Sequence, residues 1–247
     1  MAYADVLPYT TPKYEFNGIR HLLQILERPG EEDEQCEGYM ESCNPYIIFT
    51  IDERSFLDCL VESRSLGKSW ECYDPSINEL LIKIMEPAPH ALGTTAFADI
   101  FHAWRGPYNP VYPLEPTGTM IFRGNSNKKK RADCSWRPEH PGLDMKWPTI
   151  AVEVVYTETP GKMMKDVGFW LNDCSGQVNI VLTVKIHRRG NISIQQWKMG
   201  AGTPVSVQKL EISKNPAPKC EKIQGSMQLS FEEIHLRPKG PNDRLYY

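Results

Sequence analysis

The chain has 247 residues, a formal net charge of −3 at pH 7 and an apolar fraction of 40%. That length suits one large domain or two small ones with a sizeable core. The slight acidity disfavours a general nucleic-acid binder, and the absence of a long apolar run disfavours a transmembrane helix and a membrane partner.

In the first half of the chain, the residue patterns predict three helices and two strands. An acidic, turn-rich segment, Arg28–Glu34, is expected to be an exposed loop. The third helix would bury an apolar stripe of Leu92, Ala96, Ile100 and Phe101. The five predicted elements are a helix over Gly18–Leu26, a strand over Tyr46–Ile51, a helix capped by Asp52 and ending near Glu62, a strand over Glu79–Met85 and a helix over His90–Trp104.

The second half predicts an irregular Pro- and Tyr-rich segment, 106–116, and then a β-α-β unit followed by a hairpin. In the strand Thr149–Tyr156, even-numbered residues face one side and Ala151, Glu153 and Val155 the other. Past Gly200, Met227 to Phe231 is read either as an edge strand or as a capping box of Ser230 with Glu233. The remaining predicted elements are a strand over Gly118–Arg123, a helix from Pro160 to about Asn172 with Thr159 as its cap, a strand over Val178–Ile186, a turn at Gly190-Asn191 and a strand over Ile192–Trp197.

Seven scattered cysteines, an odd number without any C-x-x-C pair, disfavour both a disulfide framework and a structural zinc site. The first residues lack the basic and apolar regions of a signal peptide. We therefore expect a cytoplasmic or nuclear protein with mostly reduced thiols.

A basic run of four residues, Lys128, Lys129, Lys130 and Arg131, stands directly before Asp133. Three readings stay open: a solvated loop, contacts with phosphate groups of DNA or RNA, and a nuclear-import signal. Within the second reading, all four residues are candidate nucleic-acid contacts.

The functional hypothesis depends on two carboxylates, those of Asp133 and Glu153. Asp133 is followed, one hairpin-length later, by Glu153 within an apolar strand. A buried carboxylate needs a cation or a strong hydrogen-bond donor, and two adjacent carboxylates repel unless a divalent ion lies between them. A turn role for Asp133 and a salt bridge from Glu153 to Lys162 are the plainer alternatives.

Several short motifs in this order resemble those of the PD-(D/E)XK nuclease superfamily. The match covers about Gly118 to Trp197 and resembles fungal nuclease-like proteins most closely, and the Uma2-like family more remotely. The motifs that carry the resemblance are Asp133-Cys134-Ser135-Trp136-Arg137-Pro138, Glu153-Val154, Thr157-Glu158-Thr159, Asp166 and Trp170-Leu171.

The resemblance implies an α/β domain of restriction-endonuclease-like type, with a mixed central sheet flanked by helices. It implies a hydrolase that cleaves phosphodiester bonds of DNA or RNA with Mg²⁺ or Mn²⁺. Asp133 and Glu153 would hold the metal, with Asp99 as a candidate third ligand, and Lys162 would assist the attacking water.

Two departures from the family pattern matter for activity. Ala132 replaces a proline, and Val155 stands where the catalytic lysine is expected. Lys162 and Lys165 are the candidate substitutes, and without them the protein would be a catalytically inactive module that binds protein or nucleic acid. A homodimer or a protein partner is left open. The expected organisation is an N-terminal addition (residues 1–70), a nuclease-like core (71–237) and a C-terminal tail (238–247).

Overall fold

The computed structural model describes residues 2–27, 44–62, 70–105, 113–118, 120–139, 145–216 and 222–240. They form two mixed β-sheets with helices, so the predicted α/β class is confirmed. The chain divides into two compact units. Unit 1 contains Met1–Pro87, Arg123–Arg131 and Thr157–Lys162, and unit 2 contains Ala88–Phe122, Ala132–Tyr156 and Met163–Tyr247.

The sheet of unit 1 has six strands in the order β1-β2-β4-β3-β7-β6. β1 runs parallel to β2, whereas β2–β4, β4–β3 and β3–β7 are antiparallel pairs. The strands are β1 (Lys13–Glu15), β2 (Tyr46–Thr50), β3 (Trp70–Asp74), β4 (Glu79–Lys83), β6 (Phe122–Arg123) and β7 (Lys129–Lys130). The helices are α1 (Ile19–Glu27) and α2 (Glu53–Phe56), which continues into a π-helical turn (Leu57–Val61).

Local sequence signals in unit 1 are largely confirmed. The predicted helix over Gly18–Leu26 corresponds to α1, and the two predicted strands correspond to β2 and β4. Asp52 caps α2 as predicted, because its carboxylate accepts a hydrogen bond from the Ser55 backbone N–H at 2.9 Å. The predicted boundary at residue 70 differs from the observed one, since β3 and β4 belong to the sheet of unit 1 and the unit continues through Pro87.

The sheet of unit 2 has seven strands in the order β13-β12-β11-β10-β9-β8-β5. Only the β9–β10 pair is parallel among these neighbours. The strands are β5 (Leu114–Pro116), β8 (Cys134–Pro138), β9 (Ile150–Val155), β10 (Ile180–Ile186), β11 (Ile192–Met199), β12 (Pro204–Ile212) and β13 (Ile223–Gln224). The helices are α3 (Ala88–Arg105), α4 (Pro160–Asn172), whose residues up to Lys162 are counted with unit 1, and α5 (Phe231–His235).

The predicted β-α-β unit with its hairpin is confirmed. β9 and β10 pair in parallel from Ile150↔Ile180 to Val155↔Lys185, and β11 returns antiparallel to β10. At the start of α4, the Thr159 hydroxyl accepts a hydrogen bond from the Lys162 backbone N–H at 3.1 Å. The predicted cap is therefore present, with proline in the first helical position, where its missing N–H costs nothing.

Both faces of β9 are covered, as its alternating pattern predicts. Ile150, Val152 and Val154 pack in a core that contains Phe101 of α3. Ala151 packs in a second core with Trp170 of α4. Because successive strand residues point to opposite faces, α3 and α4 cover opposite sides of this sheet.

The predicted apolar stripe of α3 is wrong for three of its four residues. Leu92 is 69% exposed and Ile100 is 67% exposed, and Ala96 is exposed as well, whereas Phe101 is only 3% exposed. The buried face is instead marked by Gly93, where an added Cβ would lie 2.5 Å from Ile186 Cδ1. A glycine at this position lets the helix backbone approach the sheet closely, and that approach selects the face carrying Phe101.

The C-terminal part of unit 2 settles one alternative and adds two strands, β12 and β13, that the sequence did not reveal. Ser230 caps α5, because its hydroxyl accepts a hydrogen bond from the Glu233 backbone N–H at 3.2 Å. The Glu233 carboxylate accepts from the Lys198 ammonium, so of the capping box only the Ser230 half is observed, and the edge-strand alternative is wrong. The nine-residue strand β12 was not predicted. The predicted strand over Gly118–Arg123 is reduced to the two residues of β6.

Some predictions lie outside the described residues: the loop Arg28–Glu34, most of the irregular segment 106–116, and residues 241–247 of the predicted tail. Within the described part of the chain, no helix combines the length and the apolar character needed to cross a membrane.

Candidate functional site

The start of β8 sets Asp133 beside Glu153 in the sheet of unit 2. The β8–β9 register pairs Cys134 with Val152, so one further residue brings Asp133 opposite Glu153. The chain bends at Asp133, and its Oδ2 accepts a hydrogen bond from the Val154 backbone N–H at 2.7 Å. The same oxygen lies 3.3 Å from Nε2 of His90, which is itself buried near the start of α3.

Glu153 is 4% exposed and lies in the middle of the apolar strand β9. Its Oε1 accepts a hydrogen bond from the indole N–H of Trp170 at 2.6 Å. Trp170 is fully buried on α4, so the donor is held rigidly where the carboxylate needs it. A charge-assisted hydrogen bond of this kind offsets part of the desolvation cost that the sequence predicted for Glu153.

Cys134 lies close to both carboxylates. Burial, together with the negative charges of Asp133 and Glu153, raises the pKa of the Cys134 thiol to about 12. Its Sγ donates weakly to the Thr94 carbonyl at 3.6 Å. The thiol is therefore protonated at neutral pH, as expected for a small buried residue and not for a nucleophile.

Asp133 and Glu153 lie opposite each other on neighbouring strands, but their side-chain partners belong to helices on opposite faces of the sheet. Asp133 lies against His90 of α3, whereas Glu153 is bound to Trp170 of α4. In the described parts of the chain, no three His, Cys, Asp or Glu side chains converge as metal ligands. A metal held by both carboxylates would require one of them to leave its present hydrogen-bond donor, with water or substrate oxygens completing the coordination.

The candidate third ligand, Asp99, lies apart from this pair. Its side chain is exposed on α3, nine residues beyond His90. At about 1.5 Å per residue, Asp99 is roughly 13 Å along the helix axis from the residue that contacts Asp133. Asp99 is therefore not brought together with Asp133 and Glu153.

The position expected for the catalytic lysine is occupied by Val155, which is 1% exposed in β9. The candidate substitute Lys162 is also buried, at 1% exposure. Its ammonium donates to Glu71 Oε1 and lies 3.5 Å from Glu158 Oε1, both in unit 1. Its role as a water-assisting group stays a prediction.

Lys162 belongs to a buried charge cluster in unit 1, formed by Lys83, Lys130, Lys162, Glu71 and Glu158. Glu71 Oε1 lies 3.4 Å from the Lys130 ammonium, and Oε2 lies 3.9 Å from that of Lys83. Burial opposes ionisation of Glu71, but the three ammonium groups outweigh it and hold the pKa of this carboxyl well below its usual range.

Tyr46 forms one wall of this charge cluster. Its hydroxyl donates to Glu158 Oε1, and its ring lies 5.1 Å from the Lys162 ammonium and 5.7 Å from that of Lys83. Burial, with the nearby negative charge of Glu71, raises the pKa of Tyr46 well above its usual value. The phenol therefore stays protonated and keeps donating across the accessible pH range.

The basic run is not the solvated loop that was one of its three readings. Lys129 and Lys130 form β7 and are buried. Lys128 lies 3.2 Å from Asp74 and Lys129 lies 2.8 Å from Glu53. The guanidinium of Arg131 stacks on Trp70, with 4.4 Å between its central carbon and the ring centroid. Most of the charge that was predicted to meet phosphate is thus neutralised within unit 1.

Three residues that the sequence analysis did not single out contact predicted site residues, two of them in unit 2 and one in unit 1. His90 contacts Asp133, Trp170 donates to Glu153, and Glu71 binds Lys162. Trp170 had a usable signal, since it lies in the same family motif set as Glu153. Glu71 had none, because 91 residues separate it from Lys162.

Comparison with protein-family models found no match for this chain. Comparison with curated proteins found no match either.

Proposed function

We propose that this chain is a nuclease-like protein of the PD-(D/E)XK superfamily, and that its Asp133 and Glu153 bind Mg²⁺ or Mn²⁺ for hydrolysis of phosphodiester bonds in DNA or RNA. One observation carries the proposal: the β8–β9 register brings Asp133 opposite Glu153 directly before the parallel β9-α4-β10 unit. This order of strand, strand, helix and strand is the one that the family resemblance implies, with a restriction-endonuclease-like core in unit 2.

The chemistry of the two side chains fits a hard divalent cation. Both offer carboxylate oxygens, the ligand type that Mg²⁺ and Mn²⁺ prefer, and Mg²⁺ commonly binds through one or two carboxylates with water and phosphate oxygens. A bound ion would polarise the phosphoryl oxygen and lower the pKa of a water molecule. Trp170 orients Glu153, and the Val154 backbone N–H orients Asp133.

A second candidate is a nuclease-fold module that binds protein or nucleic acid without catalysis. Two observations favour it: Val155 replaces the expected lysine, and Lys162 is already held by Glu71 and Glu158. A lysine engaged by two carboxylates is a poorer partner for the negative charge that develops in phosphoryl transfer. This candidate predicts nucleic-acid or protein binding that does not depend on a divalent ion.

Calorimetric titration with Mn²⁺ and Mg²⁺ separates the two candidates. Glu153→Gln is the sharpest variant, because the amide oxygen still accepts from the Trp170 indole while the charge is removed. Glu115→Gln, a carboxylate on β5 whose partner is Arg137 at 2.9 Å, is the matched control. The nuclease proposal expects stoichiometric Mn²⁺ binding in the wild type and in the control, and its loss in Glu153→Gln.

A cleavage assay on the same samples completes the test, with plasmid DNA and a folded RNA as substrates. Cleavage that requires Mn²⁺ or Mg²⁺ and disappears in Glu153→Gln supports the enzyme. Metal binding without cleavage favours the inactive module. No metal binding by the folded wild-type protein overturns the metal site and with it the nuclease proposal.

A further inference from the structure

The hairpin between β10 and β11 carries two arginines at its tip. The His187 backbone N–H donates to the Asn191 carbonyl at 2.8 Å, and the Gly190 N–H donates to the His187 carbonyl at 2.7 Å. Gly190 has a φ of 83°, which glycine adopts without strain, so the loop closes as a tight turn. Arg188 and Arg189 occupy the central positions of this turn, and both side chains are exposed.

Lys214, which follows β12, lies against the same turn. Its backbone N–H donates to Asn191 Oδ1 at 3.0 Å. The stem of its side chain passes Gly190, where an added Cβ would lie 2.5 Å from Lys214 Cδ. Lys214 is exposed, as the two arginines are. Arg188, Arg189 and Lys214 together form what we call the cationic edge of unit 2.

The charges of the cationic edge are not neutralised within the described part of the chain, where Arg188, Arg189 and Lys214 make no ion pair. Three other cations of the same sheet each have a carboxylate partner. These pairs are Lys198–Glu233 at 2.6 Å, Arg137–Glu115 at 2.9 Å and Lys209–Glu211 at 2.5 Å. A chain whose formal net charge is −3 thus presents three unpaired positive charges beside one another.

The cationic edge lies at the same end of the sheet as Asp133 and Glu153. In the parallel β9–β10 pair, Val155 is opposite Lys185, and the hairpin begins two residues later, at His187. Glu153 precedes Val155 by two residues and has Asp133 on its other side. Ligands of open sheets with parallel strands bind beyond the carboxyl ends of those strands, and this hairpin is found there.

Guanidinium groups suit phosphate oxygens, because their planar fork donates two parallel N–H bonds, and a lysine adds a further point charge. We propose that the cationic edge binds the phosphate backbone of DNA or RNA and directs the strand toward Asp133 and Glu153. This inference rests on the proposed function, which supplies a nucleic acid as the occupant. Contacts of this kind hold a nucleic acid in place without reading its sequence.

Oligonucleotide binding in EDTA tests the inference without metal or catalysis. The probes are a fluorescein-labelled DNA duplex and an RNA of the same length, titrated by fluorescence anisotropy at several salt concentrations. The double variant Arg188→Gln with Arg189→Gln removes two phosphate contacts, so its slope of log affinity against log salt should be smaller by about 2. Raising the salt concentration from about 50 mM to about 200 mM should therefore weaken duplex binding by the wild type about tenfold more than by this variant.

The matched control is the double variant Lys146→Gln with Lys198→Gln. It removes the same charge from the opposite end of the sheet, before β9 begins and where β11 ends, and should keep the wild-type salt slope. Arg188→Lys with Arg189→Lys keeps both charges and loses the forks, so it should retain most of the slope with a lower affinity. Circular dichroism and thermal melting of every variant establish that the fold is retained.

Three results would overturn the inference. The first is a salt slope that the arginine-to-glutamine variant leaves unchanged. The second is competition by polyglutamate as strong as that by an oligonucleotide of equal charge, which would assign the surface to an acidic protein segment. The third is binding to phosphatidylserine vesicles that this variant loses while its oligonucleotide affinity stays the same, which would assign the surface to a membrane.

Failure of the inference and failure of the proposed function give different results. Oligonucleotide binding that depends on the two arginines, without Mn²⁺ binding or cleavage, supports the cationic edge and removes the nuclease. Metal-dependent cleavage, together with unchanged oligonucleotide affinity in the arginine-to-glutamine variant, leaves the nuclease proposal standing and refutes the role of the cationic edge.

Discussion

Glu71 is the centre of the buried charge cluster, and its removal gives the sharpest stability prediction. Its carboxylate meets the ammonium groups of Lys162, Lys130 and Lys83, whose side chains are 1%, 0% and 14% exposed. Removing one member of a buried ion pair commonly costs about 3–5 kcal/mol, because the partner charge is left uncompensated. Glu158 remains as a second acid, so we expect Glu71→Gln to lower the free energy of unfolding by about 3 kcal/mol.

Urea denaturation at pH 7, followed by circular dichroism, measures this loss. The matched control is Glu211→Gln, whose carboxylate is 39% exposed and paired with the exposed Lys209, and which should cost less than about 1 kcal/mol. A loss for Glu71→Gln no larger than that of the control would refute the reasoning. A double variant with Lys162→Met should recover part of the loss, because it removes a charge that Glu71 no longer balances.

The pH dependence gives an independent check. The folded-state pKa of Glu71 lies below its unfolded value of about 4.3, so its stabilisation is fully present above that pH. It is lost as the pH falls through the folded-state pKa. The stability difference between the wild type and Glu71→Gln should therefore be constant from about pH 7 to pH 5 and shrink below about pH 4. A difference that grows with acidity would contradict this account.

Three further predictions follow from other contacts. Trp170→Phe removes the indole donor of Glu153 and should lower the free energy of unfolding by about 2–3 kcal/mol in urea denaturation, whereas a value near zero would show that this hydrogen bond is not needed. Phe101→Ala should lower the free energy of unfolding by about 3–4 kcal/mol. Leu92→Gln, on the exposed face of the same helix, should change it by less than about 0.5 kcal/mol. A larger loss for Leu92→Gln than for Phe101→Ala would favour the predicted stripe. Ser230→Ala removes the cap of α5 and should lower the free energy of unfolding by about 1 kcal/mol. Ser230→Thr is the conservative control, and equal stability of the two variants would argue against the cap.

The family resemblance led to residues that the structure does bring near one another, but only part of their surroundings was predictable. Glu153 was found from its sequence context, because a carboxylate in an apolar strand signals an unusual requirement, and Asp133 was found from the motif that it begins. Their hydrogen-bond donors were not, because the Trp170 indole and the Val154 backbone N–H reach them only through helix packing and strand pairing.

Local signals in the sequence determined several elements of this protein, although not β12. Alternation of apolar residues placed β9 and β10, and the proline after a capping threonine placed the start of α4. Both signals act over a few residues, through side-chain direction and through the unbonded N–H groups of a helix end. Because these signals are local, they could be interpreted without knowledge of the rest of the chain.

Only the tertiary structure decided which long-range partners meet. Helical periodicity shows that α3 has apolar residues but not which face turns to the sheet, and close approach at Gly93 made that choice. The basic run had the composition of a solvated loop, yet strand pairing of Lys129 with Tyr73 buried it. Lys162 reaches Glu71 across 91 residues of sequence. Such contacts depend on how distant segments pack, and a local pattern carries no information about that packing.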